Sequence, residues 1–281
     1  MSFHFVVTII LFLRRGAKVI ISSRDFPNEL LDNLKKYKAT VICASLRHYH
    51  VLSSLNFSLR TFSRLRLTVS TAVKLSPDIA DTFYRRSDLE LAEAYGIIEV
   101  GLSLINLSGG SKRGSVGKVL PGYSLKILDK DEKGVGKILV KGAGVFDAYF
   151  WPWRKREDVL AQGWFDTGDL GRLDKEGFLY IVGREKNVIN FSGMKVFPFE
   201  VESILNRHPL VKESYLYGLA HPEYGQVPVA KIVLKAGKNK ETSLKVLRRF
   251  CYERLAAYKV PKEFEFVDTL PKTASGKIKY F

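Results

Sequence analysis

Asp169 lies in Thr167-Gly168-Asp169-Leu170-Gly171, an acid between two glycines. Glycines let a chain turn sharply and let a ligand come close to the backbone. An ionised carboxylate offers two acceptor oxygens, which suit two neighbouring ribose hydroxyls. The same residues also suit a tight hairpin turn capped by its own Asp. A strand-like run, Phe178–Val182, leads from there into a basic turn, Gly183-Arg184-Glu185-Lys186. The chemistry suggested is capture of a sugar hydroxyl pair, with cations nearby for a phosphate.

Two other groupings could carry chemistry. Pro271-Lys272-Thr273-Ala274-Ser275-Gly276-Lys277-Ile278 lacks the first glycine of a phosphate loop, has Ile after the Lys, and leaves no room for a helix. It reads instead as a flexible arm that can deliver one ammonium, or as a basic tail. His48-Tyr49-His50 would set two imidazoles on one side of a strand. A metal site normally needs three or four ligands, and no third is near in sequence.

GWFDTGD (163–169), GREKNVI (183–189) and PKTASGKIK (271–279) follow one another at sensible separations. In that series they resemble the adenylate-forming superfamily: acyl- and aryl-CoA ligases, luciferases and the adenylation domains of peptide synthetases. The resemblance covers nearly the whole sequence and implies the later part of a family member. It implies that Asp169 anchors ribose and that Arg184 steadies ribose or phosphate. Lys186 matches the hinge of a mobile C-terminal lid, and Gly193 the glycine beside a thiol tunnel. Tyr95-Gly96-Ile97-Ile98-Glu99 resembles the family's aromatic-Gly-x-Thr-Glu, so Tyr95 and Gly96 would meet adenine and Glu99 would hold Mg²⁺. Ala72 matches a small residue against adenine, and His4, after Phe3, the wall of an acid pocket. Lys277 matches the lysine that acts during adenylation; Lys277 and Glu99 are therefore the expected catalytic residues. Departures are Val73-Lys74 in the adenine loop, Ile98 for Thr, Asn187 for Asp and Tyr280 for Arg.

The implied activity is that of an AMP-forming acid–CoA ligase using ATP, Mg²⁺ and CoA. A carboxylate attacks the α-phosphorus of ATP, and a thiol then displaces AMP. The family's Ser/Thr/Gly-rich phosphate loop would fall ahead of Phe3-His4. The expectation is that these residues alone bind AMP or an adenylate but adenylate weakly or not at all. A separate N-terminal chain or a homo-oligomer is the expected partner, alongside a small carboxylic acid. The alternatives are a non-catalytic nucleotide-, adenylate- or partner-binding module, and a basic nucleic-acid-binding protein.

The elements that must position these residues follow from pattern. The 281 residues are 46% hydrophobic, enough for one large or two smaller cores. Lys and Arg number 45 against 29 Asp and Glu, a net +16. That balance suits anionic partners, from nucleotides to membranes. The basic clusters, such as Arg14-Arg15 and Arg248-Arg249, are scattered without an aromatic-interleaved RNA motif, so no nucleic-acid track is expected. Cys43 and Cys251 lie in apolar contexts and read as buried thiols. Phe3–Leu13 is apolar but far short of the roughly 20 residues a membrane span needs, and it lacks a signal peptide's features. A cytoplasmic protein is expected.

Helix and strand alternate at the start: a helix to Leu13, strands at Ala17–Ser22, Val41–Ala44 and Leu65–Ser70, and helices at Pro27–Tyr37 and from Pro77. This predicts an incomplete α/β layer over 1–110, with an unpaired sheet edge. Leu107–Gly114 reads as a loop. Short strands with turn signals then predict a small antiparallel barrel-like subdomain over 111–183, with Trp151, Trp153 and Trp164 closing it. Pro198–Asn206 and Thr242–Leu255 have helical spacing, and Ser214–Leu219, Val229–Leu234 and Phe264–Val267 read as strands. Residues 184–281 are predicted as a small α+β lid domain.

Overall fold

A computed structural model describes residues 9–22, 27–55, 62–71, 77–237, 239–272 and 278. The chain divides into two compact units, 1–167 with 171–181, and 168–170 with 182–281.

The first unit begins with α1 (Leu11–Arg14), α2 (Asn28–Tyr37), β1 (Val41–Ser45), α3 (Leu46–Ser54), β2 (Leu67–Thr71) and α4 (Pro77–Ser87). It continues through β3 (Leu91–Ile97), β4 (Gly101–Asn106) and β5 (Lys118–Val119). The five strands form one sheet in sequence order; β1, β2 and β3 are parallel, and β4 and β5 antiparallel to their neighbours. Helices α2, α3 and α4 cover the parallel part through Leu34, Tyr49, Leu52 and Phe83, packed on Ile42 and Leu91. The Tyr49 hydroxyl, wholly buried, donates to the Val69 carbonyl at 3.0 Å, so its polar end is satisfied.

Two expectations fail here. Ala17–Ser22 forms no strand, and β1 is the sheet edge. An apolar run becomes a strand only where a neighbour takes its ladder hydrogen bonds. His48 and His50 lie on helix α3, where residues two apart point away from each other. His48 Nδ1 instead meets Ser45 Oγ at 2.7 Å beside the helix start, and no cluster of three metal-ligating side chains occurs among the described residues.

The second sheet is built from β6 (Tyr123–Leu128) and β7 (Gly136–Gly142), an antiparallel hairpin, with β10 (Phe165–Leu173) and β11 (Leu179–Arg184). Between them lie β8 (Ala148–Tyr149), β9 (Arg154–Lys155) and the single-turn α5 (Arg156–Val159). The order is β11-β10-β7-β6, an open sheet where a barrel-like form was expected. Its core is mainly aliphatic: Ile127, Ile138, Val140 and Leu179 pack with Phe165, with Tyr95 and Leu104 from the first sheet, and with Val100 from the β3–β4 turn. The tryptophans do not close it. Trp151 and Trp153 are exposed, and Trp164 is half-buried with the Lys126 ammonium over its ring.

The second unit carries β12 (Ile189–Phe191), β13 (Met194–Val196), α6 (Pro198–Leu205), β14 (Val211–His221), β15 (Gly225–Leu234), α7 (Lys240–Tyr252) and β16 (Glu263–Phe266). The sheet runs β13-β12-β15-β14, with β16 parallel to β15. Pro198 opens α6, where its missing N–H costs nothing. Asn239 caps α7 by accepting from Thr242 N at 3.0 Å. Val201, Leu205, Leu247 and Cys251 from the helices pack on Leu216, Val229 and Ile232 from the strands.

Both cysteines are free, and burial pushes each thiol up to about 11. A thiol raised in the folded state favours folding while it stays protonated. That contribution is intact below pH ~9, where unfolded thiols begin to ionise, and is lost as pH rises through about 11. We therefore expect slow reaction of both thiols with a disulfide reagent at pH 8, becoming fast only on unfolding. Rapid native-state labelling would contradict this.

Candidate functional site

The sequence-predicted residues fall into two groups, one in each unit. In the second unit, Asp169 is buried, with its side chain 6% exposed, and Arg184 Nε donates to its Oδ1 at 2.7 Å. Asp169 stands inside strand β10, not in the tight turn that its glycines suggested. Asp169 is the fifth residue of a nine-residue strand, and sheet context overrides the local turn preference of its glycines. Gly168 still needs its glycine conformation, at φ 67°, and so distorts the strand one residue before the acid. Gly171 matters for a different reason. A Cβ there would come within 2.7 Å of the Tyr180 carbonyl and 2.8 Å of Ile138 Cδ1.

Arg184 ends β11, and its side chain is 49% exposed. A guanidinium has five N–H donors, so holding Asp169 through Nε does not exhaust it. Lys186 follows on an exposed single 3₁₀ turn, Glu185–Asn187, a few residues past the division at 181/182. Gly193 and Ser192 form the two-residue loop between β12 and β13, with φ 81° and 49°. Positive φ at both central residues is the hairpin-turn requirement that glycine meets best. A Cβ on Gly193 would meet nothing within 4 Å.

In the first unit, Tyr95 and Gly96 lie near the end of β3, where the ladder to β4 slips register between them. Tyr95 is buried in the core shared by the two sheets. Glu99 occupies the turn from β3 to β4, half-buried. Its Oε1 accepts from the Tyr149 hydroxyl at 3.2 Å, and its carbonyl accepts from Phe146 N at 2.8 Å. Burial, then the neighbouring Glu99 charge, raises the Tyr149 hydroxyl above its usual pKa, so it stays a donor. Tyr123 fixes the same turn, its hydroxyl donating to Val100 O at 2.8 Å. Sequence reasoning missed Tyr149. It lies 50 residues from Glu99, and no local signal links them.

His4, Ala72 and Lys277 lie outside the described residues. On either side of the segment 273–277, Lys272 and Ile278 form an antiparallel bridge, and Lys272 Nζ pairs with Glu213 at 2.6 Å.

Residues 1–150 match the family described as AMP-binding enzyme, and residues 200–277 match the AMP-binding enzyme C-terminal domain. The chain belongs to the AMP-binding enzyme family. It is 32% identical over 267 residues to human mitochondrial acyl-coenzyme A synthetase ACSM3, covering 90% of this chain and 46% of that protein. It is likewise 32% identical over 286 residues to a long-chain-fatty-acid–CoA ligase of Escherichia coli O6:H1, covering 98% of this chain and 50% of that one. It thus spans about half the length of the curated relatives it matches. Among solved structures it is similar to o-succinylbenzoate CoA synthetase from Bacillus subtilis in complex with its acyl-adenylate intermediate. There the TM-score is 0.87 at 28% identity, over 99% of this chain and 57% of that one. The mixed α/β fold with several sheets is that of the adenylate-forming enzymes.

Proposed function

We propose that this chain forms part of an AMP-forming acid–CoA ligase that activates a carboxylic acid as its acyl-adenylate and passes the acyl group to CoA. The observation that carries this is the buried Asp169 carboxylate, oriented by Arg184 within the GWFDTGD strand. A carboxylate fixed in this way is pre-organised to accept hydrogen bonds from the ribose hydroxyls. Arg184 steadies the ribose or phosphate with its remaining donors. Tyr95 and Gly96, with Ala72, are assigned to adenine, Lys277 to charge neutralisation during adenylation, and His4 to the acid pocket. Lys186 is the hinge residue, and Gly193 keeps the thiol path open. The divisions at 110/111 and 183/184 go with this assignment.

In the first half-reaction a carboxylate oxygen bonds to the α-phosphorus and pyrophosphate leaves. In the second the thiolate sulfur bonds to the acyl carbon and AMP leaves. Two anions meet in the first step, so fixed cations supply much of the stabilisation. The residues present fit Mg²⁺, which needs only one or two carboxylates besides substrate phosphates and water. Glu99 would hold it, and the ion would neutralise phosphate charge. Tyr149 holds the Glu99 carboxylate, so Tyr149→Phe is expected to raise the Mg²⁺ concentration required for ATP binding roughly tenfold. Calorimetry of ATP across a Mg²⁺ series checks this, with unchanged Mg²⁺ dependence as the contrary result.

By itself the chain is proposed to adenylate weakly, since none of the residues assigned above forms a backbone cradle for the β- and γ-phosphates. The whole reaction is tested by supplying acyl-adenylates of graded chain length with CoA and following AMP and acyl-CoA. ATP with the free acids runs in parallel, read by pyrophosphate. Formation of acyl-CoA from the adenylates supports the reading; no AMP or CoA binding and no product in either arm overturns it.

A further inference from the structure

The two most exposed large apolar side chains among the described residues are adjacent in sequence, and a third exposed ring lies two positions on. Phe150 and Trp151 are each 89% exposed and Trp153 is 64% exposed. With Pro152 they form the whole tip of the β8–β9 hairpin, a two-stranded ladder that joins no other sheet. Such rings normally fill a core, so three presented together to water need an external partner. The charges along the hairpin are ordered. Directly behind the tip, Tyr149 pairs with Arg154 and Ala148 with Lys155, which sets two exposed cations as a collar around the aromatic end. Further back, Arg156 is taken by Asp147 at 3.3 Å, and Asp158 accepts from Lys155 N at 3.3 Å at the start of α5. Glu157 is also exposed there. The acids therefore sit at the base, and the cations nearest the tip have no carboxylate partner among the described residues.

We propose that this hairpin is a peripheral membrane-docking element for anionic lipid bilayers. Phe150, Trp151 and Trp153 enter the interfacial region, and Arg154 and Lys155 meet the lipid phosphates. Trp favours the level of the lipid headgroups, and cations beside it add attraction to anionic lipid. No described helix is long and apolar enough to cross a membrane, and the proposed attachment is interfacial. The net +16 of the chain favours approach to such a surface, while the aromatic tip sets where it docks.

The test is flotation of the 281-residue chain with vesicles of phosphatidylcholine alone and with a third phosphatidylglycerol. Tryptophan emission is read alongside, since two of the three tryptophans lie at the tip. We expect binding to the anionic vesicles with a blue shift. Trp151→Ser with Trp153→Ser should weaken binding roughly tenfold or more. Arg154→Gln with Lys155→Gln should weaken it about fivefold per charge removed. Both sites are exposed, so circular dichroism should not change. Failure to float overturns the proposal. So does binding that the double serine variant retains in full, which would mean diffuse adsorption of a basic chain. Self-association that the serine variant abolishes, without vesicle binding, would mean the tip meets a second copy and would equally overturn it.

Discussion

Asp169→Ala is expected to weaken AMP binding by roughly ten- to a hundredfold for each ribose hydroxyl that loses its acceptor, about 1.5–3 kcal/mol per charge-assisted hydrogen bond. The fold should persist, because the stranded partner, Arg184, is half-exposed and water can solvate it. Asp169→Asn separates shape from charge. It keeps the side-chain volume and one acceptor oxygen but loses the second acceptor and the ion pair with Arg184. Its affinity should fall between those of the wild type and the alanine variant. Calorimetric titration of AMP against the three proteins checks the order, and equal affinities would remove Asp169 from the site.

Gly117→Ala is expected to cost the first unit about 3 kcal/mol or more. Gly117 stands at φ 98°, a left-handed conformation hostile to side chains, and an added Cβ would run into the Ile105 carbonyl and Asn106 N. These are backbone atoms and cannot swing aside. Gly117 cannot retreat either, since its own carbonyl accepts from Leu179 N at 2.9 Å and ties β11 to this segment. Gly193→Ala makes the contrast. It has positive φ but open space around it, so only the conformational cost of about 1–2 kcal/mol applies. All three tryptophans lie in the first unit. Urea unfolding followed by tryptophan emission should therefore show a large downward shift of midpoint for Gly117→Ala, while far-ultraviolet dichroism retains a wild-type transition from the second unit. Coincident, unshifted curves would contradict it.

What could be read from the sequence follows the range of the interactions involved. Helices α2, α6 and α7 were legible because their signals are local: apolar spacing, Pro198 at the start of α6, and the run Leu244, Leu247, Cys251. Membership of the AMP-binding enzyme family was legible in the ordered series of motifs that includes the Asp169 stretch. The geometry of that stretch was not, because the glycines around Asp169 imply a turn, whereas the residue lies inside the nine-residue strand β10. His48 was misplaced for a similar reason, since β1 runs straight into α3 at Ser45 with no breaker between them. Aromatic residues default to the core, and that default fails for Trp151 and Trp153 because aliphatic residues already fill the sheet interior. The Tyr149–Glu99 contact and the crowding at Gly117 bring together residues far apart in sequence, or backbones whose approach no pattern encodes.

The central claim is that Asp169 holds the sugar of a bound nucleotide through its hydroxyls. A cycle of four calorimetric titrations tests it most directly: AMP and its 2′,3′-dideoxy analogue, each against the wild type and Asp169→Ala. Removing the hydroxyls should weaken binding to the wild type, whereas the alanine variant should bind both ligands equally. If the alanine variant discriminates between AMP and the dideoxy analogue as strongly as the wild type does, the hydroxyls are held elsewhere and the assignment of Asp169 is wrong.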